Sequence, residues 1–127
     1  KEEMKMLWET QKIMGDQSIL VNATAVRVPV FYGHAEAIHL ETRSPIDAQH
    51  VKELLADAPG VTVYDGNDQF PTQVSSASGN DIVHVGRIRN DITHPCGLNL
   101  WVVSDNIRKG AATNSIQIAE TLIRDYL

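Results

Sequence analysis

Two apolar segments separated by a short turn limit the fold of this chain more than any other feature. Residues 82–89 and 98–103 are rich in Val, Ile and Leu, and residues 93–97 between them include Pro95 and Gly97. This pattern predicts two neighbouring strands of an antiparallel sheet. Alternation in the first strand places its side chains in two sets, with Ile82, His84, Gly86 and Ile88 on one face and Val83, Val85, Arg87 and Arg89 on the other.

The rest of the chain alternates between helical and strand patterns. Apolar residues at three- and four-residue spacing predict helices over residues 2–14, about 45–57 and about 106–126. Period-two patterns predict further strands over residues 19–32, 37–42 and 61–64, and a polar loop covers residues 65–80. Because short turns join most of the strands, this order predicts an α+β fold with a mainly antiparallel, mixed sheet covered by helices.

Two helix details follow from the same patterns. Ser44 is the expected cap of the second helix, and Pro45 suits its first position. In the last helix an apolar stripe is expected to face inward, formed by Ile116, Ala119, Ile123 and Tyr126.

Composition excludes several classes of function. Eleven basic against sixteen acidic residues give a net charge of −5, which argues against general nucleic-acid binding. No run of about 18 apolar residues is present, so we expect no membrane-spanning helix. The single cysteine, Cys96, permits no internal disulfide and fits a reducing cytosol. The histidines show no convincing metal-ligand spacing, so no metal is expected. The chain opens directly into a helical pattern at Lys1, and we interpret it as a piece of a longer polypeptide.

Four residues are candidates for a site, each with a plainer alternative. Arg27 is either a solvent-facing residue of an alternating strand or a guanidinium held to receive a carboxylate. His34 is either a structural or exposed histidine or a ring aimed into a cleft by the glycine before it. Glu2 and Lys5 share a helix face, either as a surface ion pair or as a site for an amine and a phosphate.

Three motifs together carry a family resemblance. They are Arg-Val-Pro-Val-Phe-Tyr-Gly-His at 27–34, Gly-Arg-Ile-Arg-Asn-Asp at 86–91 and Asn-Leu-Trp-Val-Val-Ser-Asp-Asn-Ile-Arg-Lys-Gly-Ala-Ala at 99–112. With the opening Lys-Glu-Glu-Met-Lys-Met, they resemble the C-terminal part of bacterial aspartate-semialdehyde dehydrogenases. The resemblance covers nearly the whole chain in the right order.

The resemblance implies a fold and an activity. The family reduces L-aspartyl-4-phosphate with NADPH to aspartate semialdehyde and phosphate, for lysine, methionine, threonine and diaminopimelate synthesis. It implies a cytoplasmic homodimer or higher homo-oligomer that needs neither nucleic acid nor membrane. Residues 1–127 would be the C-terminal part of a catalytic and dimerisation domain like that of glyceraldehyde-3-phosphate dehydrogenase. The last helix, about 106–126, would return toward a Rossmann domain outside this chain.

The resemblance also implies a role for each matching residue. His34 would be the catalytic acid/base, and Arg27 would bind the substrate α-carboxylate. Glu2 would contact the amine side of the substrate, and Lys5 its phosphate. Asn106 would touch the nicotinamide cofactor, NADP.

The same resemblance leaves rivals open. The family's nucleophilic cysteine belongs upstream of this chain, and Cys96 does not correspond to it. A non-catalytic paralogue that serves as a dimerisation or interaction module is therefore the alternative. A sister acyl-phosphate reductase for an N-acetylglutamyl substrate is disfavoured by the Glu-x-x-Lys helix and by residues 99–106.

Overall fold

The computed structural model describes residues 1–66 and 69–127, and its centre is a mixed β-sheet. Within these residues the sheet has four strands: β1 (His34–Glu41), β2 (Val61–Tyr64), β3 (Val83–Asn90) and β4 (Gly97–Ser104). They lie in the order β1-β4-β3-β2, with β4 antiparallel to β1 and β3, and β2 parallel to β3. The described helices are α1 (Glu2–Met14), α2 (Ala48–Ala56) and α3 (Thr113–Tyr126). The predicted α+β class is confirmed.

Strands β3 and β4 form the predicted hairpin, and an apolar cluster lies on one of its faces. The backbone N–H of Asp91 donates to the Gly97 carbonyl at 2.8 Å and closes the turn. Val85, Ile88 and Leu98 form the buried centre, against which α2 packs. Burying an apolar side chain of this size stabilises a fold by about 1.5–3 kcal/mol. The apolar cluster on the α2 side of the sheet therefore contributes to the stability of the fold.

A β-bulge in β3 changes the face on which one core side chain lies. In the second half of β3 the register against β4 slips by one residue. Arg87 has a φ of 56°, in the left-handed region that non-glycine residues seldom adopt. The slip turns Ile88 to the buried face of Val85. The prediction that Ile88 shares a face with His84 is therefore wrong, because an extra residue interrupts strict alternation.

Helix α1 agrees with its sequence signals, whereas α2 starts later than predicted. Gly15 ends α1 with a left-handed φ of 65°. Helix α2 starts three residues after Pro45, because Asp47 caps it instead of Ser44. The Asp47 carboxylate accepts the backbone N–H groups of the second and third helical residues at 3.1 and 3.2 Å. No helix in the described part of the chain is long and apolar enough to cross a membrane.

The helix predicted over about 106–126 is divided. A π-helical turn, Arg108–Ala112, precedes α3, and Asn106 lies before both. The prediction that an apolar stripe of this helix faces inward is wrong within this chain, because α3 mainly contacts that turn and buries no residue. All four residues predicted to face inward are exposed: Ile116, Ala119, Ile123 and Tyr126.

The segment before β1 is irregular, so the strand predicted over residues 19–32 is wrong. The backbone N–H of Ala25 donates to the Glu3 carboxylate at 2.9 Å. That of Val30 donates to the Val28 carbonyl at 2.9 Å, which makes a three-residue turn. An extended segment needs a neighbouring strand for its backbone groups, and this one has none within the described residues.

The predicted polar loop over residues 65–80 contains a second π-helical turn, Gln73–Ala77. Residues 67 and 68 of that loop lie outside the described residues. The Trp101 indole N–H donates to the Pro71 carbonyl at 2.9 Å. This bond holds the loop against the face of the sheet opposite α2.

Candidate active site

The start of β1 and the end of β4 meet at a junction that holds two of the predicted site residues. Gly33 is buried and donates its backbone N–H to the Asn106 side-chain Oδ1 at 2.8 Å. His34 follows as the first residue of β1, and its side chain is exposed. The bond joins residues 73 positions apart. The structure thus brings His34 and Asn106 to the same end of the sheet.

Position 33 requires glycine for two physical reasons. Gly33 has a φ of 90°, which an L-residue with a Cβ rarely adopts. A Cβ built on Gly33 would also lie 3.0 Å from the Cβ and 3.3 Å from the Cα of Gln73. Gln73 begins the π-helical turn in the 65–80 loop. The glycine therefore lets this turn, β1 and Asn106 approach one another closely.

Asp105 holds the turn that carries Asn106. It is 3% exposed, and its Oδ1 accepts the backbone N–H of Ile107 at 2.8 Å and of Arg108 at 3.0 Å. Its Oδ2 accepts the backbone N–H of Gly79 at 2.9 Å. These donors, Arg108 and Gly79 first, hold the pKa of the Asp105 carboxyl below its usual value. One ionised carboxylate therefore joins the end of β4 to the loop before β3.

An ion pair and a small cavity lie beside this junction. The Arg108 guanidinium donates to both carboxylate oxygens of Asp81 at 2.8 and 2.6 Å. This hydrogen bonding, with a further bond from the Thr113 hydroxyl, lowers the pKa of Asp81. The cavity of about 260 Å³ is lined by Tyr32, Ser78, Gly79, Asp105, Ile107 and Arg108. Because Asp81 pairs with Arg108, the cavity offers little free positive charge.

The other three predicted residues lie on α1 and in the irregular segment after it. Glu2, Lys5 and Arg27 are all exposed. Lys5 Nζ lies 3.6 Å from Glu9 Oε1, a surface pair of the kind that contributes little to stability. The Glu3 carboxylate accepts the backbone N–H two residues before Arg27 at 2.9 Å, which ties α1 to this segment. Among the described residues, no hydrogen bond or ion pair joins this group to the β1–β4 junction, so a shared cleft stays a prediction.

The face of the sheet opposite α2 is only partly covered by the 65–80 loop. Its uncovered part carries the exposed guanidinium groups of Arg87 and Arg89. We call it the open sheet face, and its cavity of about 380 Å³ is lined by residues that include His39, Arg87, Arg89, Asn99 and Trp101. At its edge His39 Nε2 lies 2.8 Å from Asp91 Oδ2. Hydrogen bonds from the backbone and hydroxyl of Thr93, with His39 adding to them, lower the pKa of Asp91 to about 2.

Comparison with known proteins identifies the class to which this fold and junction belong. Residues 1–109 match the family described as the dimerisation domain of semialdehyde dehydrogenases. The chain belongs to that family, and the resemblance drawn from its motifs is confirmed.

Individual relatives carry a more specific name. The aspartate-semialdehyde dehydrogenase of Shewanella sp. (strain DB6705) is 66% identical over 126 residues, which are 99% of this chain and 37% of the relative. That of Legionella pneumophila is 64% identical over 129 residues, covering 100% of this chain and 37% of the relative. The solved structure of aspartate semialdehyde dehydrogenase II from Vibrio cholerae, complexed with ASA, matches with a TM-score of 0.95 and 64% identity, covering 100% of this chain and 38% of that one. The chain therefore spans little more than a third of its relatives.

Sequence analysis missed two residues that build this region, Asp105 and Glu3. An Asp placed before a helical turn is a capping signal, so the two local bonds of Asp105 were open to prediction. Its bond to Gly79 spans 26 residues and has no local signal. The bond from Ala25 to Glu3 spans 22 residues and has none either.

Proposed function

We propose that this chain is the C-terminal part of an NADP-dependent aspartate-semialdehyde dehydrogenase. The enzyme would convert L-aspartyl-4-phosphate and NADPH to aspartate semialdehyde, phosphate and NADP. The proposal is carried by the 64–66% identity that links 99% or more of this chain to enzymes of that name. As the family resemblance implies, we place the enzyme in the cytoplasm and in lysine, methionine, threonine and diaminopimelate synthesis.

In this proposal the exposed side chains around the junction and α1 contact the substrate. His34 exchanges a proton with the reacting oxygen, the work for which imidazole is best suited near neutral pH. Arg27 binds the α-carboxylate, to which a planar guanidinium presents two parallel N–H donors. Glu2 contacts the amine side and Lys5 the phosphate, in each case by attraction between opposite charges. Their exposure leaves all four side chains accessible to a ligand.

The geometry of Asn106 fits a contact with a nicotinamide. Because the Gly33 N–H is a donor, the atom that faces it is Oδ1, and Nδ2 remains to donate to another acceptor. The carboxamide oxygen of a nicotinamide is such an acceptor, and Asn106 would hold the ring by that group. The bound NADPH would supply the hydride.

The test uses the longer polypeptide that carries this chain, which we call the parent enzyme. NADP reduction is measured with aspartate semialdehyde and phosphate. We expect turnover by the parent enzyme and none by the 127-residue chain alone, because the resemblance places the nucleophile and the Rossmann domain outside it. Turnover by the chain alone, or none by the parent enzyme, would contradict the proposal. A stable dimer without turnover would favour the non-catalytic paralogue.

The open sheet face supports a second part of the proposal, a homodimer or higher homo-oligomer. This face exposes the guanidinium groups of Arg87 and Arg89 and carries a cavity beside Trp101. Two-fold symmetry is the commonest arrangement of soluble homo-oligomers, and it brings the same face of both copies together. We expect analytical ultracentrifugation of the parent enzyme to show a dimer or larger species, and Arg89→Glu to shift it toward monomer. A monomer at high concentration would contradict this part.

Helix α3 supports a third part, contact with the Rossmann domain. Its apolar side chains Ile118, Leu122 and Ile123 remain about half or more exposed in this chain. Among the described residues this amphipathic helix contacts mainly the short turn before it, which leaves its apolar side chains to be buried against another domain. We expect Ile123→Asp to lower the thermal stability of the parent enzyme. An unchanged melting temperature would contradict this contact.

A further inference from the structure

Gly33 is the point through which the structure controls the position of His34. Its Cα is bonded through one peptide unit to that of His34, so a shift of the Gly33 backbone moves the imidazole with it. The Gly33 N–H lies in a buried position and donates to Asn106 Oδ1 at 2.8 Å. The side chain and backbone of Gln73 lie close to Gly33, and a Cβ built on Gly33 would lie 3.0 Å from the Cβ of Gln73.

Asn106 in turn has a fixed place because Asp105 holds its turn. The Asp105 carboxylate is 3% exposed and takes backbone N–H groups from both sides: Ile107 and Arg108 from its own turn, and Gly79 from the loop before β3. A charge-assisted bond to a carboxylate is about twice as strong as a neutral one. The turn therefore presents Asn106 Oδ1 to Gly33 from a rigid support.

We propose that Asn106 is a positioning residue for His34, acting through the Gly33 N–H, and that Asp105 fixes Asn106 for this task. This inference rests on the proposed acid–base role of His34. It adds to a cofactor contact of Asn106, because the two tasks use different atoms: Oδ1 holds the backbone of Gly33, and Nδ2 is left for the nicotinamide.

Two substitutions at position 106 separate the two tasks in the parent enzyme. Asn106→Ala removes both atoms, whereas Asn106→Asp keeps an oxygen for Gly33 and loses the Nδ2 donor. A displaced catalytic group costs up to about 100-fold in rate, so we expect Asn106→Ala to lower kcat by about 10- to 100-fold. Asn106→Asp should recover most of that loss while still raising the KM for NADP. If both variants raise only the KM for NADP and keep kcat at saturating cofactor, the positioning role is wrong.

A direct readout does not depend on activity. Amide hydrogen exchange at Gly33 should be faster in Asn106→Ala than in the wild type, and slow again in Asn106→Asp. Asp105→Asn, which keeps the shape but removes the charge, should give an intermediate exchange rate. Equal exchange at Gly33 in all four proteins would overturn the inference, and circular dichroism spectra matching the wild type show that the variants are folded.

The failure of this inference is distinguishable from that of the proposed function. In the expected result His34→Ala lowers kcat, and Asn106→Ala in the His34→Ala background lowers it no further, because both act through the same ring. A loss in His34→Ala with no loss in Asn106→Ala overturns the positioning role alone. Normal turnover in His34→Ala overturns the acid–base assignment and, with it, this inference.

Discussion

Replacing Gly33 by alanine tests the packing of the junction between β1 and the π-helical turn that starts at Gln73. Two costs add in this variant. Placing an alanine at a left-handed φ, here 90°, costs about 1–2 kcal/mol. The new Cβ would also lie 3.0 Å from the Cβ of Gln73 and 3.3 Å from its Cα. Overpacking of this kind costs about 1–3 kcal/mol. We therefore expect the free energy of unfolding to fall by about 2–5 kcal/mol.

The matched control is Gly60→Ala. Gly60 has a φ of 74°, and nothing lies within 4 Å of a Cβ built on it, so this variant carries the backbone cost alone. Urea denaturation of the chain, followed by circular dichroism, measures both variants against the wild type. The difference between them should be about 1–3 kcal/mol and isolates the contact with Gln73. Equal stability of the two variants would refute the close approach of Gly33 to Gln73.

Further predictions address the core, an ionised turn residue and the proposed site. Leu98 is 1% exposed, so Leu98→Ala should lower the free energy of unfolding by about 2–5 kcal/mol, measured by urea denaturation. Leu54→Ala, at a side chain 59% exposed, should change it by less than about 0.5 kcal/mol. The pKa of Asp91 lies at about 2, below its ordinary 3.8, so its ionised form stabilises the fold above that ordinary value. The stability lost in Asp91→Asn should therefore decrease as the pH falls from about 4 to about 2. Unfolding midpoints across this range that show no such change would contradict the assignment. In the parent enzyme His34→Ala should lower kcat by about 10²–10⁴-fold. Arg27→Lys should mainly raise the KM for aspartate semialdehyde, since it loses the planar pair of donors, and steady-state kinetics distinguish the two effects.

The sequence predicts an element correctly where the residues of that element determine its structure without a distant partner. Helix α1 has acidic side chains in its first turn, apolar residues at helical spacing and Gly15 in the left-handed conformation at its end. Strands β2, β3 and β4 follow apolar runs bounded by turn residues, and their predicted bounds are within one residue of those observed. The site residues themselves were recognised through family motifs, since neither spacing nor composition separates Arg27 or His34 from ordinary surface residues.

The errors occurred where a distant partner decides the outcome. The alternation over residues 19–32 is as regular as that of β3, yet the Ala25 N–H bonds to a helix carboxylate instead of a strand. In β3 one extra residue at the bulge moves the side chains after it to the opposite face of the sheet. The sequence does not indicate the bulge, because arginine seldom adopts the positive φ that Arg87 has here. On α3 the apolar stripe predicted to face inward is exposed, because among the described residues this helix contacts mainly the π-helical turn before it.

The candidate site combines residues of two kinds: side chains that would contact the substrate, and residues that would position them through long-range hydrogen bonds. The residues that would touch substrate are exposed, and their identity alone assigns their chemistry. In our proposal the residues that set their geometry are linked instead by side-chain-to-backbone bonds across 22, 26 and 73 positions, from Glu3, Asp105 and Asn106 respectively. Each bond uses a backbone N–H as donor, so it depends on the side chain of the acceptor and not on that of the donor. Substitutions of these three acceptors should therefore impair the geometry of the site without altering any group that reacts.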